Sequence, residues 1–240
     1  MHPVGARRAA RRLAGRGLRS VLVVDASAAR RIPFGLGRGL RLEIDPTSPL
    51  DMHLGLYEFE IAAHLRTFCA PGHRCFDIGG FDGYYALAMS RLTGAEVIVF
   101  ESDPAACERI ERNCAANPEP GGRVQVRNVY VAFESNPEQN CAALDDLLEG
   151  GELFVPDVVK IDVDRAELSA LSGARRMLSE RRPHLIVETH SLELERDCAE
   201  LMKECGYRPT VVTPRRWLAE NRPLDHNRWL VARGEEGPRS

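Results

Sequence analysis

The sequence predicts a doubly wound α/β fold, a mostly parallel sheet with helices on both faces. Three observations carry this. From residue 74 onward, apolar runs of strand length alternate with amphipathic stretches of helix length. Glycine, proline and capping residues punctuate the junctions between them. The 240 residues are 44% hydrophobic and 28% charged, enough apolar side chain for a sizeable core and too much for wholesale disorder. Strands linked through helices pair in parallel by right-handed crossovers, and such a sheet offers its ligand crevice at the carboxyl ends of the strands.

Taken in order, residues 1–20 read as a basic, weakly helical arm and Ser20–Val24 as a short strand. Residues 35–45 end in alternation of apolar and charged side chains, the period of a half-exposed strand. Leu56–Leu65 reads as a helix, stopped by Pro71-Gly72. Strand Arg74–Ile78 runs through a glycine turn into helix Tyr84–Leu92, and strand Glu96–Phe100 into helix Pro104–Ala116. Asp103 caps the latter and Pro104 fills its first position. Strand Val124–Val131, a short helix Leu144–Leu148 and strand Val158–Val163 follow. Helix Ala166–Arg181 carries Leu168, Leu171 and Leu178 on one face and ends at Pro183. Strand Leu185–Glu188, helix Leu192–Cys205 and strands Thr210–Thr213 and Trp229–Val231 complete the chain.

The formal net charge of -3 argues against a bulk nucleic-acid binder, but it hides an asymmetry. Residues 1–42 hold ten arginines and one acid, while the rest hold 22 basic and 34 acidic residues. The arginine-rich start reads as a solvated arm or, alternatively, as a contact for an anionic partner. No apolar run approaches the roughly 20 residues of a membrane span. Seven scattered cysteines, none in a CxxC pair, argue against a disulfide framework or a zinc finger and for free thiols in a reducing cytoplasm.

The residues with chemistry gather at strand ends. Phe76-Asp77-Ile78-Gly79-Gly80-Phe81-Asp82-Gly83-Tyr84 joins a strand to a helix, with glycines spaced G-x-x-x-G rather than the G-x-G-x-x-G of a dinucleotide enzyme. An acid in that loop repels a pyrophosphate but suits an ammonium, which points to S-adenosylmethionine (SAM) rather than NAD. Glu101 ends the next strand, where a carboxylate can hold a ribose diol; Asp103 already serves the helix cap. In Val158-Val159-Lys160-Ile161-Asp162-Val163-Asp164, alternation sends Lys160, Asp162 and Asp164 to one side, with Lys160 as an ion-pair partner that orients the acids. Glu188 and His190 emerge from the neighbouring strand on the same rim, and a histidine there can take a proton near neutral pH, oriented by Glu188.

Together with Gly55…Tyr57-Glu58…Glu60 and Pro71-Gly72, several ordered motifs resemble the FkbM-type SAM-dependent methyltransferases over residues 55–210. They are Asp77-Ile78-Gly79…Gly83-Tyr84-Tyr85, Phe100-Glu101-Ser102-Asp103-Pro104, Leu144-Asp145-Asp146-Leu147-Leu148, Val158–Glu167 with Leu171 and Gly173-Ala174, and Arg182-Pro183…Glu188. The resemblance implies a seven-stranded, Rossmann-like class I methyltransferase sheet and methyl transfer to a hydroxyl of a sugar, polyketide or other small metabolite. Two positions depart from the family pattern. Its Glu-Gly after Lys-Ile-Asp-Val is Asp164-Arg165 here, and its Ala-Asn in the glycine loop is Gly80-Phe81. Arg165 narrows an acceptor pocket or meets an anionic acceptor.

The expectation is thus a cytoplasmic O-methyltransferase, with residues 1–48 as basic arm and lead-in strands and residues 49–240 as the methyltransferase domain. The cofactor set is Asp77, Gly79, Gly80, Asp82, Gly83, Tyr84, Glu101, Ser102 and Asp162; the catalytic set is Asp162, Glu188 and His190. Those last three are hard donors compatible with a metal-assisted variant, but no metal is assigned. The rival readings are an RNA or protein methyltransferase and a non-catalytic SAM-binding partner protein.

Overall fold

Each central strand alternates between two apolar cores, one on either face of the sheet. The computed structural model describes residues 29–44, 48, 50–214 and 228–234; the arm and the expected strand Ser20–Val24 lie outside them. Two short strands, β1 (Arg30–Arg31) and β2 (Arg41–Leu42), form an antiparallel lead-in, followed by helix α1 (Leu50–Leu54). A 3₁₀ turn, Phe59–Ile61, runs into α2 (Ala62–Phe68), so the expected helix over 56–65 begins later and ends later. Glu58 interrupts it with a left-handed backbone, φ 44°.

The βα alternation then runs as expected through β3 (Cys75–Ile78), α3 (Tyr84–Thr93), β4 (Val97–Glu101), α4 (Pro104–Ala115) and β5 (Val124–Asn128), with a single-turn helix, α5 (Pro118–Gly121), in the stretch expected to be loop. Asp103 caps α4 by accepting from the Ala105 amide at 3.0 Å. The expected strand over 124–131 divides: β6 (Tyr130–Val131) leaves the sheet and pairs with β7 (Cys141–Ala142). After α6 (Leu144–Glu149) and β8 (Val158–Ile161), the expected long helix splits into α7 (Glu167–Ser172) and α8 (Arg175–Glu180). The break falls at Gly173, where a Cβ would lie 2.0 Å from the Ala132 carbonyl oxygen. The chain closes with β9 (His184–Thr189), α9 (Leu192–Glu204), β10 (Thr210–Val212) and β11 (Arg228–Ala232).

The sheet order is β10-β11-β9-β8-β3-β4-β5, with β11 antiparallel to both its neighbours and the other pairs parallel. Phe76, Ile78, Ile98, Phe100, Val159, Ile161, Leu185 and Val187 pack under α7, α8 and α9. Cys75, Val97, Val99, Val158 and Ile186 face the other way, toward α2, α3 and the lead-in residues Ile32, Leu36, Leu40, Leu42 and Ile44. The lead-in therefore shares the core of the sheet. It is tied to α4 and to the turn just after it by side-chain amides: Asn117 in the turn accepts from the Arg41 amide at 2.9 Å and donates to its carbonyl, and Asn113 in α4 does the same for Glu43.

Candidate active site

A cavity of about 650 Å³ opens at the carboxyl ends of β3, β4 and β8, where a doubly wound sheet leaves its crevice. The glycine loop forms one wall. Gly79 has φ 87°, and a Cβ there would lie 1.8 Å from the Asp162 carbonyl oxygen, so this glycine lets β3 and β8 close together as much as it opens room for a ligand. Gly80, Asp82 and Tyr84 also line the cavity. The Asp82 carboxylate pairs with Arg109, and the Tyr84 hydroxyl accepts from the Gly37 amide at 3.0 Å, fastening the lead-in. Glu101 and Ser102 line the next wall. Glu101 accepts the amides of Phe81 and Asp103, both at 2.9 Å, which clamps the tip of β4 to the glycine loop. Val129, Tyr130 and Val131 add an apolar strip, and Ser48, Met52 and Tyr57 bring the lead-in side to the cavity.

Three expected residues do not line the cavity. Gly83 turns toward Ile110, and Asp77 and Glu188 are each 1% exposed, beneath the floor. The pleat explains this. Asp77 and Lys160 are register partners on the α3 face, so Asp77 points at the Lys160 ammonium, 4.0 Å away, and not at the crevice. Burial pushes the Asp77 carboxyl up to about 7, against the pull of Lys160. Burial opposes the charge on Lys160, but Asp162 (3.2 Å), Asp77, Glu58 and Glu188 hold its pKa above the ordinary value. Lys160 also lies 4.5 Å from the centre of the Tyr85 ring. It is the orienting cation expected from the sequence.

Asp162 and His190 do meet at the cavity. His190 Nδ1 pairs with Glu167, which is fully buried. Nε2 faces Asp164 Oδ1 at 3.2 Å, Asp162 Oδ1 at 3.8 Å and Glu188 Oε1 at 3.9 Å. Glu188 meanwhile accepts from the Trp229 indole at 3.2 Å. Burial works against a charged imidazole, yet Glu167, Asp162 and Asp164 raise the His190 pKa, while burial and Glu58 raise that of Glu188. The orienting partner of His190 is thus Glu167, where Glu188 was expected, and the ring is held toward its protonated form. Glu167 looked like an ordinary first-turn acid in the sequence. Only the packing of α7 against β9 shows its burial; its place one turn after Asp164 was the available signal.

Comparison with known proteins bears on this geometry directly. Residues 129–209, which include Asp162, Glu167, Glu188 and His190, match the family model of the methyltransferase FkbM domain. Over those residues the chain is similar to the FkbM methyltransferase domain. It is 28% identical over 150 residues to the hexuronic acid methyltransferase AglP of Haloferax volcanii, covering 54% of this chain and 61% of that protein. Among solved structures, it resembles the methyltransferase FkbM of Methylobacillus flagellatus (TM-score 0.55, 18% identity, 76% of this chain, 52% of that one). It also resembles a SAM-dependent O-methyltransferase of Thermotoga maritima (TM-score 0.53, 14% identity, 77% and 67%). This chain thus spans about half to three fifths of the lengths of AglP and the M. flagellatus protein. The structural likenesses establish the Rossmann-like methyltransferase sheet expected from the sequence. Among the described residues, no helix is long and apolar enough to cross a membrane.

Proposed function

We infer that the protein is a SAM-dependent O-methyltransferase whose acceptor is a hydroxyl of a small, hydroxyl-rich molecule, a sugar above all. The observation that carries this reading is the lining of the cavity, which combines two sets of groups. One set has the glycine loop, the Glu101 carboxylate and the apolar strip Val129–Val131; the other has Asp162, His190 and the lead-in wall. The first set fits SAM: Glu101 retains lone pairs for a ribose diol beyond the two amides it accepts, and the strip suits a flat base. The loop residues Gly79, Gly80 and Asp82, with Ser102 and Asp162, complete the contacts. Tyr84 adds a contact from the helix start, and Asp77 and Gly83 support them from behind. SAM supplies an electrophilic methyl group on a sulfonium.

In the second set, Asp162 and His190 orient the acceptor hydroxyl, and Glu167, Glu188 and Lys160 fix those two side chains. In-line displacement needs alignment above all, so this set contributes mainly by positioning. The AglP likeness supports a sugar-type acceptor, and seven free cysteines support a reducing, cytoplasmic setting. The test is calorimetric titration with SAM, then incubation with methyl-labelled SAM and a panel of mono- and disaccharides, read by mass spectrometry. Label on a sugar oxygen is expected. SAM binding with no transfer to any hydroxyl acceptor would favour a binding protein, and label on RNA or protein would favour the macromolecular enzyme.

A further inference from the structure

His190 presents one ring nitrogen to a buried acid and the other to three carboxylate oxygens. The geometry points to a divalent-cation site formed by Asp162 Oδ1, Glu188 Oε1 and His190 Nε2. Atoms of these three residues lie within 4.8 Å of one another. Nε2 stands 3.8 Å from Asp162 and 3.9 Å from Glu188. A cation with bonds of roughly 2.1–2.3 Å holds its ligand atoms roughly 3–4.5 Å apart, and both separations from Nε2 fall in that range. Each ligand is also oriented for the task. The other Asp162 oxygen is on Lys160 at 3.2 Å, and the other Glu188 oxygen accepts from Trp229 at 3.2 Å.

A separate observation lies behind the ring. Glu167 is 0% exposed, one of its oxygens is on His190 Nδ1, and the other has no hydrogen-bond partner among the described residues. A carboxylate on Nδ1 accepts that nitrogen's proton in a hydrogen bond, so Nε2 meets the acids through either a proton or a cation. Buried carboxylates take this position behind metal-binding imidazoles. A lone pair facing carboxylate oxygens is repulsive until a cation or a proton lies between them. Asp164 Oδ1 lies 3.2 Å from Nε2 on an exposed side chain, and Asp162, Asp164 and His190 line the cavity. Two carboxylates and one imidazole suit a hard ion of the Mg²⁺ or Mn²⁺ class. The role of this ion rests on the O-methyltransferase reading. It accepts a lone pair from the acceptor hydroxyl, fixes that oxygen, and makes its proton easier to lose to water.

The site is tested on the full chain, stripped with chelator and titrated with Mn²⁺ alone, following loss of the free-ion electron paramagnetic resonance signal. One Mn²⁺ per chain is expected, with affinity lowered at least tenfold in Asp162→Asn and His190→Gln and about tenfold in Glu167→Gln, which keeps an acceptor for Nδ1. Circular dichroism checks that each variant is folded. SAM titration of the same metal-free sample separates the two readings. SAM binding without Mn²⁺ binding overturns the site, leaves the methyltransferase reading intact, and means that Nε2 carries only a proton. Mn²⁺ binding without SAM binding upholds the site and sinks the methyltransferase reading. Binding that is indifferent to His190→Gln and Glu167→Gln places the ion elsewhere and overturns the site.

Discussion

Glu101 and Arg165 show how far single residues can be read from the chain. Glu101 was legible because its place at a strand tip, with Asp103 already spoken for as the cap, left it no other local duty. Its second duty, clamping the Phe81 amide, depends on a fold contact twenty residues away. Glu101→Ala is expected to weaken SAM binding about tenfold to a hundredfold by calorimetry, the scale of losing a charged acceptor for two hydroxyls. Arg165 was visible only as a departure from a family glycine. Its φ of 66° supplies the physical reason, since that left-handed backbone suits glycine and strains a side chain. Arg165→Gly should therefore raise stability by about 0.5–1 kcal/mol in urea unfolding, after the greater freedom of glycine in the unfolded chain is set against the relieved strain. Asp77 was misplaced because the sequence showed an acid before a glycine turn, while the pleat decides which face that acid occupies.

At the scale of elements, the strands and the caps followed from local pattern, and the breaks did not. The amphipathic stretch over 166–181 has helical period throughout; α7 and α8 separate because Gly173 must pass the Ala132 carbonyl, a neighbour more than forty residues distant. Likewise β6 leaves the main sheet to pair with β7, an alternative that hydrophobic period alone cannot rank. The docking of β2 on α4 was equally hidden, since asparagines on a helix usually read as solvated. Asn113 is fully buried and bonds the Glu43 amide, the Glu43 carbonyl and the Asp82 carbonyl. Asn113→Ala strands those groups and is expected to cost about 1–3 kcal/mol in urea unfolding.

For the molecule as a whole, the buried charges under the cavity set a pH dependence of stability. Burial pushes the Asp77 carboxyl up to about 7 in the fold from an ordinary value of 3.8, so the native state binds more protons between those values. Stability is thus lost as pH rises from about 4 to about 7 and levels above. Thermal melts of the native protein and of Asp77→Asn should differ by this slope, with the variant gaining relative stability toward pH 8. The arginine-rich start is a separate matter: deleting residues 1–19 is expected to leave SAM affinity unchanged and to weaken only salt-sensitive association with polyanions, as seen by retention on heparin. The asparagine contacts on the lead-in reach further than their energy. The Arg41 and Glu43 amides are shielded by side-chain oxygens of Asn117 and Asn113. Their protection against deuterium therefore belongs to the helix region that carries those side chains. The two amides should exchange at the rate at which α4 opens and lose protection together in Asn113→Ala, while the Ile78 and Val99 amides in mid-sheet keep theirs. A stretch of chain that pairs this way has the kinetics of a helix while wearing the shape of a strand.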